Sequence, residues 1–291
     1  MTTPASATDR AWLTVIAWPE QYAARSQLLD TLAEMLHSDT PTMRHHADRS
    51  PPTVLGWFSR PTSEAAVKPI VDSGGDAIVM SLDDVQSLGP TMKIKDIRIE
   101  PAGLTFDCWR ADSVTIDPGD IDVIVRATMQ EQHGTPESTT TLTGEIVDGR
   151  QSVIGGTLEA WAIGRRAASQ FADWSTMDRR VDTSHKLDVH VRNQNGQASV
   201  YQIDADKFAF RILGDLRGHS DNTNIDRMCE FIQHLNSDVI VDAYFPLWKP
   251  PPGAQRLRLP MMQYNKEDPS FAFYSRWATI IYRTLRARPF E

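Results

Sequence analysis

The acid–base grouping with the best spacing in this sequence lies around position 188. Asp188 and His190 are two positions apart within an alternating run, so on a β-strand their side chains share one face. A carboxylate beside an imidazole can orient it for general acid–base chemistry. The same alternation places His185 on the opposite face. The spacing permits a carboxylate–imidazole pair, and an ordinary surface hydrogen bond is the alternative that we favour.

Other residues with chemical potential lack partners at useful spacing. His45 and His46 precede Asp48, but adjacent histidines point in different directions and no distant ligand completes a metal site by spacing. Cys108 and Cys229 have no histidine three or four residues away and no evident helix N-terminus that would lower a thiol pKa. We therefore expect two buried cysteines, and we predict no metal ligand and no cofactor.

No sequence motif indicates a particular enzymatic reaction. Neither a phosphate-binding glycine loop nor a dinucleotide fingerprint occurs, and the nucleophile elbow and the zinc-protease helix are missing as well. We accordingly predict no catalytic residue. A triad assembled across a fold leaves no such pattern, so a hydrolase that uses Asp188 and His190 stays open as the alternative.

Two segments near the C-terminus are candidate contact surfaces. Tyr244, Phe245 and Trp248 lie in an aromatic and proline-rich stretch, which is typical either of a partner contact or of packing over a sheet. A second group, made of arginines, lies at the end of the chain. Arg283, Arg286 and Arg288 offer an anion contact, although positive charge in a last helical turn also complements the helix dipole, and we favour that interpretation.

Composition and net charge limit the classes of function that we expect for this chain. The 291 residues are 41% hydrophobic and 23% charged, which is typical of a folded protein, and the length favours two domains. The net charge of −8 makes nucleic acid an unlikely partner, because phosphate contacts require a concentrated basic surface. The N-terminal residues do not have the pattern of a secretory leader and no apolar run is long enough to span a bilayer, so we expect a cytoplasmic protein.

The first ninety residues alternate between strand and helix signals. The patterns predict strands over 11–18, 53–58 and 76–82, with helices over 20–37 and 64–71 and a connection or short helix near 43–47. Pro61, Thr62 and Ser63 are the expected cap of the second helix. This order predicts a small open sheet with helices packed on it.

The stretch SEAAVKPIVDSGGDAIV, residues 63–79, resembles the end of the small domains of the ribosomal stalk protein and of ClpS-type adaptors. A helix, a glycine turn and a closing strand recur there in the same manner. The resemblance implies an interaction fold, and no binding residue is carried over from it.

Strand signals dominate after residue 90. The stretch IRIEPAGLTFDCWRADSVTIDPGDIDVIVRATM, residues 97–129, resembles the small barrel of pleckstrin-homology domains, which implies membrane-surface attachment as a third possible function. Alternating runs over 187–191 and 198–203 predict a hairpin around an Asn-Gly turn. Phe208 and Phe210 continue the β character, and helices are expected after an Asp221–Asn224 cap and over 268–286. The segment 153–171 is compatible with either a strand or a short helix.

These patterns predict an α+β protein, with a small N-terminal open α/β sandwich over 11–88 and a β-rich α+β domain with a C-terminal helix over 92–291. The predicted function is a non-enzymatic protein-binding or adaptor module with an unknown protein partner. The sequence does not specify an oligomeric state.

Overall fold

The computed structural model describes residues 10–48, 52–132, 181–192, 198–245 and 269–287, and they form an α+β fold. The strands are β1 (Arg10–Ala17), β2 (Thr53–Ser59), β3 (Asp76–Ser81), β4 (Thr91–Glu100), β5 (Gly103–Cys108), β6 (Val114–Ile116), β7 (Ile121–Gln132), β8 (Val181–Arg192), β9 (Ala198–Asp204) and β10 (Ile240–Asp242). The α-helices are α1 (Tyr22–Met35), α2 (Thr40–Ala47), α3 (Arg60–Asp72), α4 (Leu82–Gln86), α5 (Asp221–Leu235) and α6 (Pro269–Arg286).

A three-stranded antiparallel sheet with the order β2-β1-β3 forms the N-terminal part. Its central strand is buried on both faces because both faces are covered. Leu13 and Val15 pack in one core with α1, α2 and α3. Trp12 and Thr14 lie on the opposite face, where Trp12 contacts Phe273 of α6 with ring centroids 4.9 Å apart.

A seven-stranded mixed sheet with the order β10-β7-β8-β9-β4-β5-β6 follows. One face carries the larger hydrophobic core, in which Leu187, Val189 and Val191 of β8 pack with Ile225 and Met228 of α5. The predicted hairpin is confirmed, since β8 and β9 pair in antiparallel register. Its Asn-Gly turn lies outside the described residues.

Helix α6 contacts both sheets. Trp277 Nε1 donates a 3.0 Å hydrogen bond to Thr14 Oγ1 in β1, and Ser275 Oγ lies 2.7 Å from His190 Nε2 in β8. Nine consecutive residues, 271–279, are buried, which requires the polar ones among them to be hydrogen-bonded. Thr279 meets this requirement by donating to the Ser275 carbonyl, and Arg276 by donating to the carbonyl of Gly89 at 2.8 Å.

Three local features differ from the sequence predictions. Ser59 rather than Ser63 caps α3, accepting from Thr62 N, and Pro69 lies inside that helix. The predicted β character of Phe208 and Phe210 is wrong. Phe210 has a φ of 51° and a 3-10 helix begins after it, which ends any extended run, and the two rings stack edge-to-face in the core.

The third difference concerns α5. Ser220 caps this helix, with its hydroxyl accepting from Thr223 N at 3.2 Å, so the predicted capping residues lie inside it. By contrast, the short helix expected near 43–47 is present as α2. Asp39 caps it and accepts from Thr42 N at 2.7 Å.

The chain divides into two compact units, Met1–Thr128 with His185–Glu291 and Met129–Ser184. Both sheets contribute strands to the first unit, and the second is described only at its ends. The segment 153–171 lies outside the described residues. Within the described ranges, no helix combines the length and apolar character that a bilayer crossing requires.

Candidate functional site: a cationic groove beside Trp109

A groove of about 520 Å³ opens where β4 extends past the end of β5. We call it the Trp109 groove. Its lining residues are Thr91, Met92, Lys93, Ile94, Cys108, Trp109, Arg110, Ala111, Asp204 and Lys207. Its volume falls within the usual range for pockets that bind ligands.

Strand register explains why the groove exists. β4 begins at Thr91, but its pairing with β5 begins only at Ile94, opposite Cys108. One further backbone bond follows, from Trp109 N to Lys93 O at 2.9 Å, before the chain bends away. On its other side β4 pairs with β9 from its first residue. The start of β4 therefore has a strand on one side and the groove on the other.

Positive charge predominates in the Trp109 groove. Lys93, Arg110 and Lys207 line it, against the single carboxylate of Asp204. Lys207 binds Asp204 at 2.9 Å, whereas Lys93 and Arg110 form no ion pair with any described residue. On a chain with a net charge of −8, a local excess of positive charge favours anionic groups.

Asp204 and Lys207, which line the groove, form a hydrogen-bonded cluster with Asp206. The hydrogen bond with Asp204 raises the pKa of Lys207, so this ammonium remains charged. The hydrogen bond with Asp204 also raises the pKa of Asp206, because the two carboxyl groups compete for one proton. Lys207 is therefore partly neutralised, and Lys93 and Arg110 supply the available positive charge.

Trp109 adds an apolar surface to this charge. Its side chain is 54% exposed, whereas most described tryptophans are buried in the cores. Cys108 lies beside it with 5% exposure, and burial raises the pKa of its thiol. A large exposed ring next to cations is typical of binding surfaces, in which tryptophan and arginine are enriched.

A row of buried polar residues crosses β8 and β9 on the face toward α6. Lys186, Asp188 and His190 alternate along β8, and the register places Asp204 and Gln202 opposite the first two. All five are less than 9% exposed. Burying polar groups on central strands is unfavourable unless they are hydrogen-bonded. The stability of the fold therefore depends on the hydrogen bonds that these five side chains form.

Asp188 and His190 do not form the carboxylate–imidazole pair that their spacing permits, and the favoured alternative of a surface hydrogen bond is wrong as well, because both residues are buried. Asp188 accepts from Gln202 Nε2 at 2.9 Å, and the imidazole of His190 bonds instead to Ser275 Oγ at 2.7 Å. His185 contacts Thr128 with a 3.1 Å separation between Nδ1 and Oγ1. Sequence spacing could not indicate Ser275, which is 85 positions from His190.

A serine–histidine contact of this kind resembles the start of a catalytic triad, but its surroundings differ. Burial, followed by the charges of Arg283 and Arg276, lowers the pKa of His190 well below its usual value. His190 is fully buried and its Nδ1 has no hydrogen-bond partner among the described residues. The orienting carboxylate that triads place at this nitrogen is therefore not supplied by Asp188.

The residues predicted as a partner contact have separate environments. Tyr244 is 65% exposed, and its backbone N–H donates to Asp242 at 2.8 Å. Phe245 is half-buried and packs against Phe271 with ring centroids 5.2 Å apart. Trp248 lies outside the described residues, so the contact surface stays a prediction.

The predicted anion contact involves arginines that already have acceptors within the chain. Arg283 binds Asp122 through two hydrogen bonds of 2.6 and 2.9 Å. Arg286 donates to the backbone carbonyl of Asp238. Arg288 lies outside the described residues. The groove of about 420 Å³ around Arg283 and Arg286 also contains three aspartates, which balance its three arginines.

Comparisons with protein-family models, with curated proteins and with solved structures find no match for this chain. The resemblances to ClpS-type adaptors, to the ribosomal stalk protein and to pleckstrin-homology domains therefore stay predictions. Among the described residues, no three histidine, cysteine or acidic side chains are grouped closely enough to hold a metal ion.

Sequence reasoning missed the residues of the Trp109 groove. One local signal was available: Trp109 and Arg110 follow β5 directly, where a polar turn is expected. Nothing local indicates Lys93 or Lys207, because Lys93 lies on β4 and Lys207 in the turn after β9, and these segments meet only through the β4–β9 pairing.

Proposed function

We propose that this chain is a non-enzymatic protein-binding module that binds an acidic segment of a partner in the Trp109 groove. One observation carries the proposal: an exposed tryptophan lines the same groove as two cations, Lys93 and Arg110, that form no ion pair with described residues. Tryptophan, tyrosine and arginine are enriched among the few residues that dominate the binding free energy of protein interfaces. Complementary charge increases the association rate and excludes basic partners.

Two other functions have less support. A hydrolase would need His190 as its base, but the fully buried imidazole would have to be uncovered before a substrate could reach it. Attachment to an anionic membrane surface would need Arg283, which is 16% exposed and bound to Asp122. The Trp109 groove requires no such rearrangement.

A heptapeptide panel tests the proposal. One set has aspartate or glutamate at the odd positions and varied apolar residues at the even positions, and a second set has lysine at the odd positions. We expect the acidic set to bind by fluorescence anisotropy and the basic set not to bind. Raising the salt from 50 to 500 mM should weaken the complexes, because exposed charge pairs are screened.

Matched variants locate the binding site. Trp109→Ala and Arg110→Glu should each weaken binding by about tenfold, a typical loss at an interface anchor. Tyr22→Ala and Arg217→Glu remove a more exposed ring and an exposed loop arginine elsewhere, and they should leave affinity unchanged. Equal binding of the acidic and basic sets, or equal losses in the control variants, would refute the proposal.

A further inference from the structure

We infer that the acidic segment binds in extended form, as a short strand added to the start of β4 in the line of β5. This inference rests on the proposed function and specifies its binding mode. The groove side of β4 is the position that a longer β5 would have occupied. Adding a strand there would continue the existing sheet by a few residues.

Lys93 shows which backbone groups of β4 point toward the groove. Its carbonyl oxygen accepts from Trp109 N, so it points toward the groove side of β4. Backbone groups of alternate residues in a strand point to the same side, which directs the N–H and carbonyl of Thr91 there too. Past Trp109, β5 no longer covers this side. Thr91 therefore presents a donor and an acceptor to an incoming extended chain.

The two faces at the start of β4 carry different kinds of side chain. Lys93 is in register with Gln202 on the face toward α6, whereas Met92 packs against the larger hydrophobic core with Cys108. A strand placed beside β4 has its own side chains alternating between these two faces. Acidic residues would then lie near Lys93, and apolar residues would lie near Met92. The bound segment is accordingly expected to alternate acidic and apolar residues.

The length of the uncovered edge limits the contact. Two residues, Thr91 and Met92, precede Lys93, whose carbonyl oxygen already accepts from Trp109 N, and they correspond to about 7 Å of strand. Such an edge offers only a few backbone hydrogen bonds. Binding therefore depends on Trp109 and the cations for affinity, and on the edge of β4 for direction and register.

Two peptides and a series of N-methylated peptides distinguish strand addition from simple charge attraction. The first is an acidic–apolar alternating heptapeptide from the panel, and the second has the same composition arranged as one acidic block and one apolar block. The third series is the alternating peptide N-methylated at single backbone positions. We expect the block peptide to bind at least tenfold more weakly, and we expect methylation at alternate nitrogens to weaken binding about fivefold, the effect of losing one hydrogen bond.

A pair of protein variants tests the Thr91 donor directly. Thr91→Val and Thr91→Pro both remove the hydroxyl that accepts from Arg276, but only proline also removes the backbone N–H. Proline is tolerated at the first residue of a strand, so both variants should fold with similar melting temperatures. Thr91→Pro should bind the alternating peptide about fivefold more weakly than Thr91→Val. Amide exchange at Thr91 in the wild-type chain should slow at least tenfold in the complex.

The outcomes distinguish the two proposals. If peptides bind and depend on Trp109 and Arg110, but N-methylation, block order and Thr91→Pro change nothing, strand addition is wrong and the binding function stands. If neither the alternating nor the block peptide binds, the proposed function is wrong and the strand mode is refuted with it.

Discussion

Replacing His190 by glutamine tests the buried polar row and the α6 contact together. The wild-type imidazole has no exposed surface and bonds to Ser275, and the nearby Arg283 and Arg276 oppose a positive charge on it. Its pKa in the folded chain is therefore well below the 6.5 of an ordinary histidine. Glutamine retains a polar side chain of similar reach but cannot be protonated.

The magnitude follows from the difference in proton binding. Between the folded-state pKa and about 6.5, the unfolded chain binds a proton at His190 that the folded chain does not. Its contribution to stability is thus fully present above pH 6.5 and decreases as the pH falls, by about 1.4 kcal/mol per pH unit. From pH 7 to pH 5 the wild-type chain should lose up to about 2 kcal/mol through this residue alone, the limit for an imidazole that stays neutral in the folded chain over this range.

Urea unfolding at pH 7, 6 and 5 measures the effect. His190→Gln should be less stable than the wild-type chain at pH 7, because an amide does not reproduce the geometry of the imidazole–Ser275 hydrogen bond, and the difference should shrink by up to about 2 kcal/mol at pH 5. The matched variant His219→Gln, at an exposed position, should follow the wild-type curve. Parallel pH profiles for the wild-type chain and His190→Gln would show that the imidazole titrates normally and would refute the reasoning.

Three further predictions concern packing. Thr14→Val removes the acceptor of the Trp277 indole and should cost about 1–3 kcal/mol, whereas Thr14→Ser retains it; equal unfolding midpoints for the two variants would contradict this. Gly103→Ala places a methyl group against the Ile116 carbonyl oxygen at a φ of 135°, so the free energy of unfolding in denaturant should fall by about 2 kcal/mol or more. An unchanged midpoint would show that the turn adapts. Burial raises the pKa of Cys229 to about 12, so this thiol should react with Ellman's reagent at pH 8 only after unfolding in urea, and rapid labelling of the native chain would argue against its burial.

Local sequence signals were sufficient for much of the fold. The alternating runs on either side of Asn-Gly predicted the β8–β9 hairpin, and the apolar spacing over 268–286 predicted α6 almost to its ends. The α+β class follows from these patterns and from the strand–helix order of the first ninety residues. Such signals act within a few residues, so one strand or one helix is enough to display them.

Helix starts were less well determined because several residues could serve as caps. Ser59 and Ser63 are both suitable N-caps by residue type, and the structure uses Ser59. Ser63 is buried instead and donates to the Ala11 carbonyl at 3.2 Å, a contact across 52 positions. A tertiary contact decided between two locally equivalent choices.

Tertiary structure alone decided both polar sites. The groove depends on β9 pairing with the first residues of β4 while β5 ends early, and this register joins segments about 110 positions apart. Likewise the spacing permitted His190 to pair with Asp188 and favoured an ordinary surface hydrogen bond, whereas the imidazole bonds to a buried serine on α6. Sequence periodicity determines which face of an element a side chain occupies. What lies opposite that face depends on how strands and helices pack to bury their apolar surfaces, and that is a property of the whole chain.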